Sequence, residues 1–168
     1  MDILLVDGYN IIGAWPELRE LKQKELSAAR DRLIELLADY QGYTGVKVIV
    51  VFDAYYTQGT EQKYKKYNIK VIYTKEKETA DEKIEKLASE LKNRKTKIYV
   101  ATSDYTEQRV IFGQGAFRKS ARELYDEIQT IEKKINSNLK IIQEKRPAAK
   151  IQLPKEVAEL FEKWRRGE

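Results

Sequence analysis

The sequence predicts an α/β protein in which helices cover a mainly parallel sheet. Short runs rich in Val and Ile alternate along the chain with longer charged stretches whose apolar residues recur at helical spacing. Near-continuous apolar runs are typical of strands buried on both faces, and strand-helix-strand repetition favours parallel strands. With 168 residues, 42% of them hydrophobic, the chain is long enough for one domain with its own core.

The first half of the chain contains most of the predicted strands and the longest early helix. The helix is predicted from Glu17 to Gln41, because leucines recur there at steps of three and four residues. Pro16 suits its first turn, and Gly42 with Gly45 suit its end. The four runs predicted to be strands are Ile3 to Val6, Val46 to Phe52, Ile69 to Tyr73 and Lys97 to Ala101.

Capping sequences mark two later helix starts, at Thr79 and Ser120. In each, the hydroxyl residue is followed three positions later by Glu, the pattern of a capping box. The first helix is predicted to end at Asn93 and the second near Gln143. Residues 1–144 are therefore predicted to form the body of the protein.

The remaining residues, 145–168, are predicted to belong to the same single domain. They would form a linker through Pro147 and a short basic helix that starts at Pro154. No apolar run approaches the roughly 20 residues that span a bilayer, and the N-terminus lacks the pattern of a signal peptide. We expect a cytoplasmic protein with no membrane partner, most simply a monomer.

The composition restricts the chemistry through two missing residue types. The sequence has no His and no Cys, which excludes a Ser-His-Asp triad, a thiolate nucleophile and zinc held by those side chains. Any catalysis must use carboxylates, hydroxyls, amines or a metal held by oxygen. The net charge of +5 permits a polyanionic partner such as RNA.

Aspartates follow three of the four predicted strands. These are Asp7, Asp53 and Asp104, and a fourth, Asp81, lies in the first turn of the helix that Thr79 caps. The carboxyl ends of parallel strands share one edge, so the four carboxylates can converge there. Each alone is more often a structural N-cap or first-turn residue, but together they would repel one another at close range unless a bound cation or a raised pKa relieved the repulsion. Oxygen ligands favour Mg²⁺ or Mn²⁺.

An acidic cluster of this kind suits phosphodiester hydrolysis assisted by a metal ion. The chain lacks the Gly-x4-Gly-Lys-Ser/Thr sequence of P-loop kinases, and Asp7-Gly8-Tyr9 lacks the second acid of haloacid-dehalogenase phosphatases. A receiver-like phosphoacceptor domain stays open as an alternative, because it also gathers aspartates around Mg²⁺.

Four motifs, in this order along the chain, resemble the NYN branch of the PIN-like nucleases. The stretch from Gly115 to Leu124 narrows the resemblance to the YacP-like NYN proteins and extends it over nearly the whole chain. The four motifs are Asp7-Gly8-Tyr9-Asn10, Val51-Phe52-Asp53, Thr79-Ala80-Asp81 and Thr102-Ser103-Asp104.

The resemblance implies a three-layer α/β/α PIN-like domain that acts as an endoribonuclease on mRNA, in association with the ribosome and with Mg²⁺ or Mn²⁺. Asp7, Asp81 and Asp104 would be the metal-holding acids, with Asp53 as a secondary ligand. Asn10 would orient Asp7 or the scissile phosphate, although an Asn after a strand is as readily a turn residue.

Basic and aromatic residues indicate where RNA would bind. Between Ala54 and Lys70 tyrosines alternate with lysines, a pattern in which rings stack on bases and amines neutralise phosphates. A solvated surface is an equal alternative for this segment, and a non-catalytic module that binds RNA or the ribosome is an alternative for the whole protein. The candidate substrate-binding residues are Tyr55, Tyr56, Lys63, Lys65, Lys66, Ser103, Arg109, Arg118 and Arg122.

Overall fold

The computed structural model describes residues 1–54, 68–103 and 115–150, with 141–150 as backbone only, and also Lys163, Arg165 and Gly167. The chain forms two compact units, Met1–Gln129 and Thr130–Glu168. The first unit contains the sheet and every candidate site residue that the structure describes. The boundary expected between residues 144 and 145 stays a prediction.

Five parallel strands form the described sheet. Every pairing is parallel, so the carboxyl ends of the strands lie at one edge. Four strands match the predicted runs closely, whereas the fifth has no counterpart in the prediction because its three residues include no apolar run. In the spatial order β3-β2-β1-β4-β5, the strands are β1 (Asp2–Asp7), β2 (Lys47–Phe52), β3 (Lys70–Tyr73), β4 (Lys97–Ala101) and β5 (Phe117–Lys119).

Helices cover both faces of this sheet. One face carries Ile3, Leu5 and Ile49, which pack against α4 in one buried cluster. Strand side chains alternate between the faces, and α1 and α3 contact β1 and β2 from the opposite side. This layering confirms the predicted α/β class and is the arrangement that the resemblance to PIN-like NYN domains implies. The described helices are α1 (Gly8–Ala14), α2 (Pro16–Lys24), α3 (Leu26–Thr44), α4 (Ala80–Leu91) and α5 (Ala121–Lys150).

The prediction of one helix from Glu17 to Gln41 is wrong in one respect, because two helices, α2 and α3, occupy this stretch. The break falls at Glu25, whose backbone is extended (φ −157°, ψ 120°). Apolar spacing continues across the break, so the pattern does not reveal it. Pro16 starts α2 and Gly45 ends α3 in the left-handed conformation (φ 77°), both as predicted, whereas Gly42 lies inside α3.

The last helix continues beyond its predicted end. Its backbone is helical to Lys150 rather than to Gln143, so residues 145–150 are not a linker. Strong helix formers flank Pro147 on both sides, and they favour the helix over the break that Pro alone predicts. None of the described helices, α5 included, is both long and apolar enough to cross a membrane.

Both predicted capping boxes are confirmed. The Thr79 hydroxyl accepts a hydrogen bond from the Glu82 amide at 3.2 Å, and the Ser120 hydroxyl accepts one from the Glu123 amide at 3.1 Å. These bonds fix the first turns of α4 and α5. Because Asp81 lies in the first turn of α4, the Thr79 cap also sets the position of a predicted site residue.

Candidate active site

Each described strand brings an oxygen-bearing side chain to the carboxyl edge of the sheet. One of these residues ends β1, and the other four directly follow β2, β3, β4 and β5. Since the strands are parallel, all five side chains meet at the edge where ligands bind in open α/β sheets. In strand order they are Asp7, Asp53, Thr74, Thr102 and Ser120.

Buried polar side chains are concentrated at or near this edge. Among the described residues they are Asp7, Arg30, Thr74 and Thr102, with exposed fractions of 7%, 5%, 4% and 0%. Burying polar groups costs free energy unless they find partners. A fold that gathers them at one edge, beside predicted acids, has the character of a functional site.

Asn10 joins the start of α1 to the end of β4. Its Oδ1 accepts hydrogen bonds from the backbone amide of Ser103 at 2.6 Å and from the Ser103 hydroxyl at 2.7 Å. Two bonds to one oxygen hold both residues in place near Asp7. The amide NH₂ of Asn10 is then the group that can donate to a phosphate.

Gly8 allows α1 to begin immediately after Asp7. A Cβ atom at Gly8 would overlap the ring of Phe52, which is fully buried. That ring also contacts the rings of Tyr9 and Tyr73, with centroids 5.0 Å and 5.7 Å away. The three rings pack together beneath the residues at the carboxyl edge. The sequence-based prediction contained no helix that corresponds to α1.

Thr74 holds the segment that carries Asp53. The Thr74 amide donates to the carbonyl of Phe52 at 3.0 Å, and the Thr74 hydroxyl accepts from the Ala54 amide at 3.0 Å. Asp53 lies between these two bonds. The position of its carboxylate therefore depends on a buried residue that sequence reasoning missed, since a Thr after a strand carries no distinctive signal.

Asp81 lies at the same edge, on the face of the sheet that α4 covers, opposite the face covered by α1 and α3. It lies in the first turn of α4, which packs against β1, β2 and β4. The helix dipole stabilises a carboxylate at this position. In the β1–β2 register Asp7 lies opposite Val51, and Asp53 is two residues beyond Val51 along the chain. The structure thus brings Asp7, Asp53 and Asp81 to one edge.

The described carboxylates do not complete a metal site by themselves. No three acids among the described residues lie close enough together to hold a metal ion. Asp104, which follows Ser103 directly, lies outside those residues. Carboxylate oxygens are the donor type that Mg²⁺ and Mn²⁺ prefer. The residues therefore fit such an ion chemically.

Arg30 is a functional candidate that the sequence-based prediction missed. Its Nη1 donates a hydrogen bond to the Tyr9 hydroxyl at 3.2 Å, and only 5% of the residue is exposed. The contact places a positive charge behind the motif that begins with Asp7. The available signal was the helical pattern of α3, in which Arg30 shares the buried face with Leu33 and Leu37.

Lys119 belongs to a separate polar cluster at the end of β5. Its Nζ donates to both carboxylate oxygens of Glu127 at 2.9 Å and to the Tyr40 hydroxyl at 3.3 Å. Burial lowers the pKa of Lys119, but the hydrogen bond to Glu127 and the interaction with Tyr40 outweigh it, so the pKa lies above its ordinary value. Burial raises the pKa of Tyr40. The cluster joins β5, α3 and α5.

The other predicted substrate-binding residues are only partly described. Arg118 in β5 and Arg122 in α5 are exposed. Lys70, the last residue of the tyrosine- and lysine-rich segment, begins β3 and lies at the edge opposite the acids. The predicted site residues outside the described parts of the chain are Tyr55, Tyr56, Lys63, Lys65, Lys66, Asp104 and Arg109.

Comparisons with known proteins extend over the whole chain. The model of the YacP-like NYN domain family matches residues 4–166. The uncharacterized protein YacP of Bacillus subtilis (strain 168) is 60% identical over 168 residues, which are 100% of this chain and 99% of that protein. The crystal structure of Rae1 (YacP) from Bacillus subtilis is 60% identical, with a TM-score of 0.81 over 99% of this chain and 96% of that chain. Its W164L mutant structure is 58% identical, with a TM-score of 0.76 over 84% of this chain and 83% of that chain.

Proposed function

Because the chain belongs to the YacP-like NYN domain family, a family of nuclease-type domains, we propose that it is a metal-dependent endoribonuclease that cleaves mRNA in association with the ribosome. The observation that carries the proposal is that Asp7, Asp53 and Asp81 lie at the carboxyl edge of the sheet, the edge that also carries the bonded pair of Asn10 and Ser103. The mRNA and ribosome parts rest on the resemblance of the motifs.

The acids and the polar pair have separate roles in this proposal. Asp7, Asp81 and Asp104 would hold Mg²⁺ or Mn²⁺, with Asp53 as a secondary ligand. The bound ion would supply an activated water and neutralise charge at the scissile phosphate. Asn10 keeps the end of β4 beside the end of β1 and offers its amide NH₂ to the phosphate.

Substrate contacts in the proposal come from basic and aromatic residues around the acids. The exposed guanidinium groups of Arg118 and Arg122 are available to phosphates. The protein would act in the cytoplasm as a monomer, with RNA and the ribosome as partners. The further residues proposed to bind substrate are Tyr55, Tyr56, Lys63, Lys65, Lys66, Ser103 and Arg109.

The strand order argues against a receiver-like phosphoacceptor domain. Receiver domains have the flavodoxin-like order 2-1-3-4-5. The described strands instead follow the order 3-2-1-4-5. The remaining alternative is a module that binds RNA or the ribosome without cutting, and it differs from the proposal in one property, catalysis.

A cleavage assay with two matched variants separates these alternatives. RNA is incubated with Mg²⁺, with and without ribosomes, and the products are resolved on a gel. Asp7→Asn should abolish cleavage without lowering Tm, because it removes one of several neighbouring like charges together with a metal ligand. Asp2→Asn makes the same change at the other end of β1 and should cleave like wild type.

The products and the metal requirement provide a second check. Without His, attack by the RNA 2′-hydroxyl is disfavoured, so we expect hydrolysis by water that leaves a 5′-phosphate and a 3′-hydroxyl. EDTA should stop the reaction. Cyclic 2′,3′-phosphate ends, turnover in excess EDTA, or wild-type cleavage by Asp7→Asn would contradict the proposal.

A further inference from the structure

Basic residues are gathered at the edge of the sheet opposite the acids. Three of the five described strands begin with an exposed lysine, namely Lys47 in β2, Lys70 in β3 and Lys97 in β4. Parallel strands begin at the same edge, so the three lysines lie along one line of strand starts. The acids of the proposed active site lie where the same strands end.

The strand registers set the spacing of these lysines. Lys47 lies opposite Ile3, Lys97 lies opposite Asp2, and Lys70 lies two residues beyond Lys47 on the neighbouring strand. For standard strand spacing and rise, the Cα atom of Lys47 is roughly 10 Å from that of Lys97 and roughly 8 Å from that of Lys70. Flexible lysine side chains at this spacing can contact successive phosphates of one nucleic-acid strand.

The turn from α4 to β4 adds more positive charge at this edge. It carries Lys92, Arg94 and Lys95, all exposed. The terminal ammonium group of Met1 lies here too, since it donates a hydrogen bond to the carbonyl of Lys95 at 3.0 Å. Within the described residues none of these six basic side chains forms an ion pair. Elsewhere in the same part of the chain such pairs are made by Arg32, Lys86 and Lys119.

Two large aromatic rings are exposed at the same edge. Tyr43 and Phe117 are each 48% exposed. Tyr43 lies in the last turn of α3, just before β2, and Phe117 is the first residue of β5. Phe117 also lines a small cavity together with Lys92 and Lys97. Rings exposed among basic residues are the combination that binds unpaired bases and phosphates.

An open groove of about 560 Å³ lies between Lys47 and Lys70. Gln41 forms part of its wall and is held there by two hydrogen bonds, one to the carbonyl of Asn68 at 2.9 Å and one from the amide of Val48 at 3.0 Å. The groove therefore has a fixed polar wall and a positively charged rim. This shape and charge suit a sugar-phosphate backbone.

We propose that the amino-edge surface binds single-stranded or looped RNA at a second site, separate from the acidic edge. This surface consists of the exposed side chains at the strand starts, namely Tyr43, Lys47, Lys70, Lys92, Arg94, Lys95, Lys97 and Phe117. The lysines and Arg94 neutralise phosphates, and Tyr43 and Phe117 stack on unpaired bases. A strand of six residues separates the two edges by roughly 20 Å. The protein can thus hold one segment of RNA while the opposite edge acts on another. The choice of RNA as the polyanion rests on the proposed function.

The charge component is tested by RNA affinity measured as a function of salt. The probe is a fluorescent RNA stem-loop in EDTA, so that no cleavage intervenes. The triple variant Lys47→Gln, Lys70→Gln, Lys97→Gln should bind about tenfold more weakly, and its slope of log affinity against log salt should fall by about 2, at roughly 0.7 per phosphate contact.

A matched control removes the same charge from another surface. Arg19→Gln, Lys22→Gln and Lys24→Gln all lie on α2 and are exposed in the wild type. Together they should leave the affinity and the salt slope close to the wild-type values. An equal loss of affinity in this control would mean that net charge alone governs binding, which overturns the proposed surface.

The aromatic component has a different signature. Tyr43→Ala and Phe117→Ala should each weaken binding about five- to a hundredfold with little change in the salt slope, because stacking releases no counterions. A fully paired RNA duplex, which offers no unstacked base along its length, should be bound equally by these variants and by wild type. Equal weakening on both probes would remove the stacking role.

Two further outcomes distinguish this surface from the active site and from a protein-binding surface. The triple lysine variant should still cleave a short RNA with Mg²⁺ at the wild-type rate. If the triple lysine variant binds RNA with the wild-type affinity and salt slope, the proposal is overturned. It is also overturned if that variant loses ribosome binding while its affinity for free RNA is unchanged, because the surface would then bind a protein. If the proposed nuclease function were wrong, wild type itself would not cleave, whereas these binding results would be unaffected.

Discussion

Asn10 and Ser103, 93 positions apart in the sequence, are joined by two hydrogen bonds to the same oxygen, at 2.6 Å and 2.7 Å. The pair links the helix that follows β1 to the chain that leaves β4. Ser103 directly precedes Asp104, a predicted metal ligand that lies outside the described residues.

The link predicts a pattern of non-additive substitutions. Asn10→Ala removes both bonds and should lower the free energy of unfolding by about 1–2 kcal/mol, whereas Ser103→Ala removes one and should cost about 0.5–1 kcal/mol. The double variant should be no less stable than Asn10→Ala alone, since the two residues share the interaction. Urea unfolding measures all three. Strictly additive losses would mean that the pair is not coupled in solution.

Gly8 and Gly13 provide a matched pair of substitutions in one helix. Gly8→Ala forces a methyl group into the Phe52 ring and should destabilise the protein by about 1–3 kcal/mol. No atom lies within 4 Å of a Cβ placed on Gly13, so Gly13→Ala should stabilise α1 by about 0.5–1 kcal/mol. Thermal unfolding measures both changes. Two shifts of the same sign would contradict the packing of α1 on Phe52.

Thr74 is predicted to act on catalysis through Asp53. Thr74→Val keeps the shape but removes the acceptor for the Ala54 amide, so stability should fall by about 1–2 kcal/mol. If Asp53 assists metal binding, the variant should also need more Mn²⁺ for half-maximal cleavage. Thr74→Ser keeps the hydroxyl and should restore the metal dependence. A metal dependence unchanged in Thr74→Val would separate Asp53 from the metal site.

The cluster of Lys119, Tyr40 and Glu127 predicts how stability depends on alkaline pH. The pKa values of Lys119 and Tyr40 are raised in the folded protein above their ordinary values of 10.5 and 10.0. Below these values the cluster contributes fully to stability, and the contribution is lost as pH rises through the folded-state pKa values. Tm should therefore fall steeply above about pH 10.

A variant isolates the contribution of this cluster. Lys119→Met should have a lower Tm than wild type at about pH 8, and the difference should shrink as pH rises above the ordinary lysine pKa of 10.5 and through the raised pKa of Lys119, where the stabilising charge is lost. Lys22→Met, at an exposed lysine of α2, is the control and should show no such convergence. A constant difference between Lys119→Met and wild type would exclude titration of the cluster as the cause.

The sequence predicts the parts of this fold that short-range patterns determine. The buried run before Asp7 and the Thr79 cap before Asp81 both depend on neighbouring residues, and both predictions are confirmed. Long-range contacts decide what the prediction missed. β5 forms only because β4 is beside it, and Arg30 is recognisable as a site residue only once α3 lies against Tyr9.

Two sequence patterns overlap at Lys70. It ends the run of tyrosines and lysines that follows Asp53, and it also lies in the strand predicted from Ile69 to Tyr73. In the structure Lys70 begins β3, at the edge opposite the acids. The strand pattern therefore indicates the position of this residue, whereas the composition of the run does not.

The central position of β1 in the sheet affects the order in which the chain folds during its synthesis. β1 is the first strand to leave the ribosome, yet its partners begin only at Lys47 and Lys97. The second pairing closes a loop of most of the chain, which is entropically costly and slow. Until it forms, Asn10 has no Ser103 to bond with. Under the proposed function, a chain still being translated cannot cut RNA before β4 has left the ribosome and paired with β1.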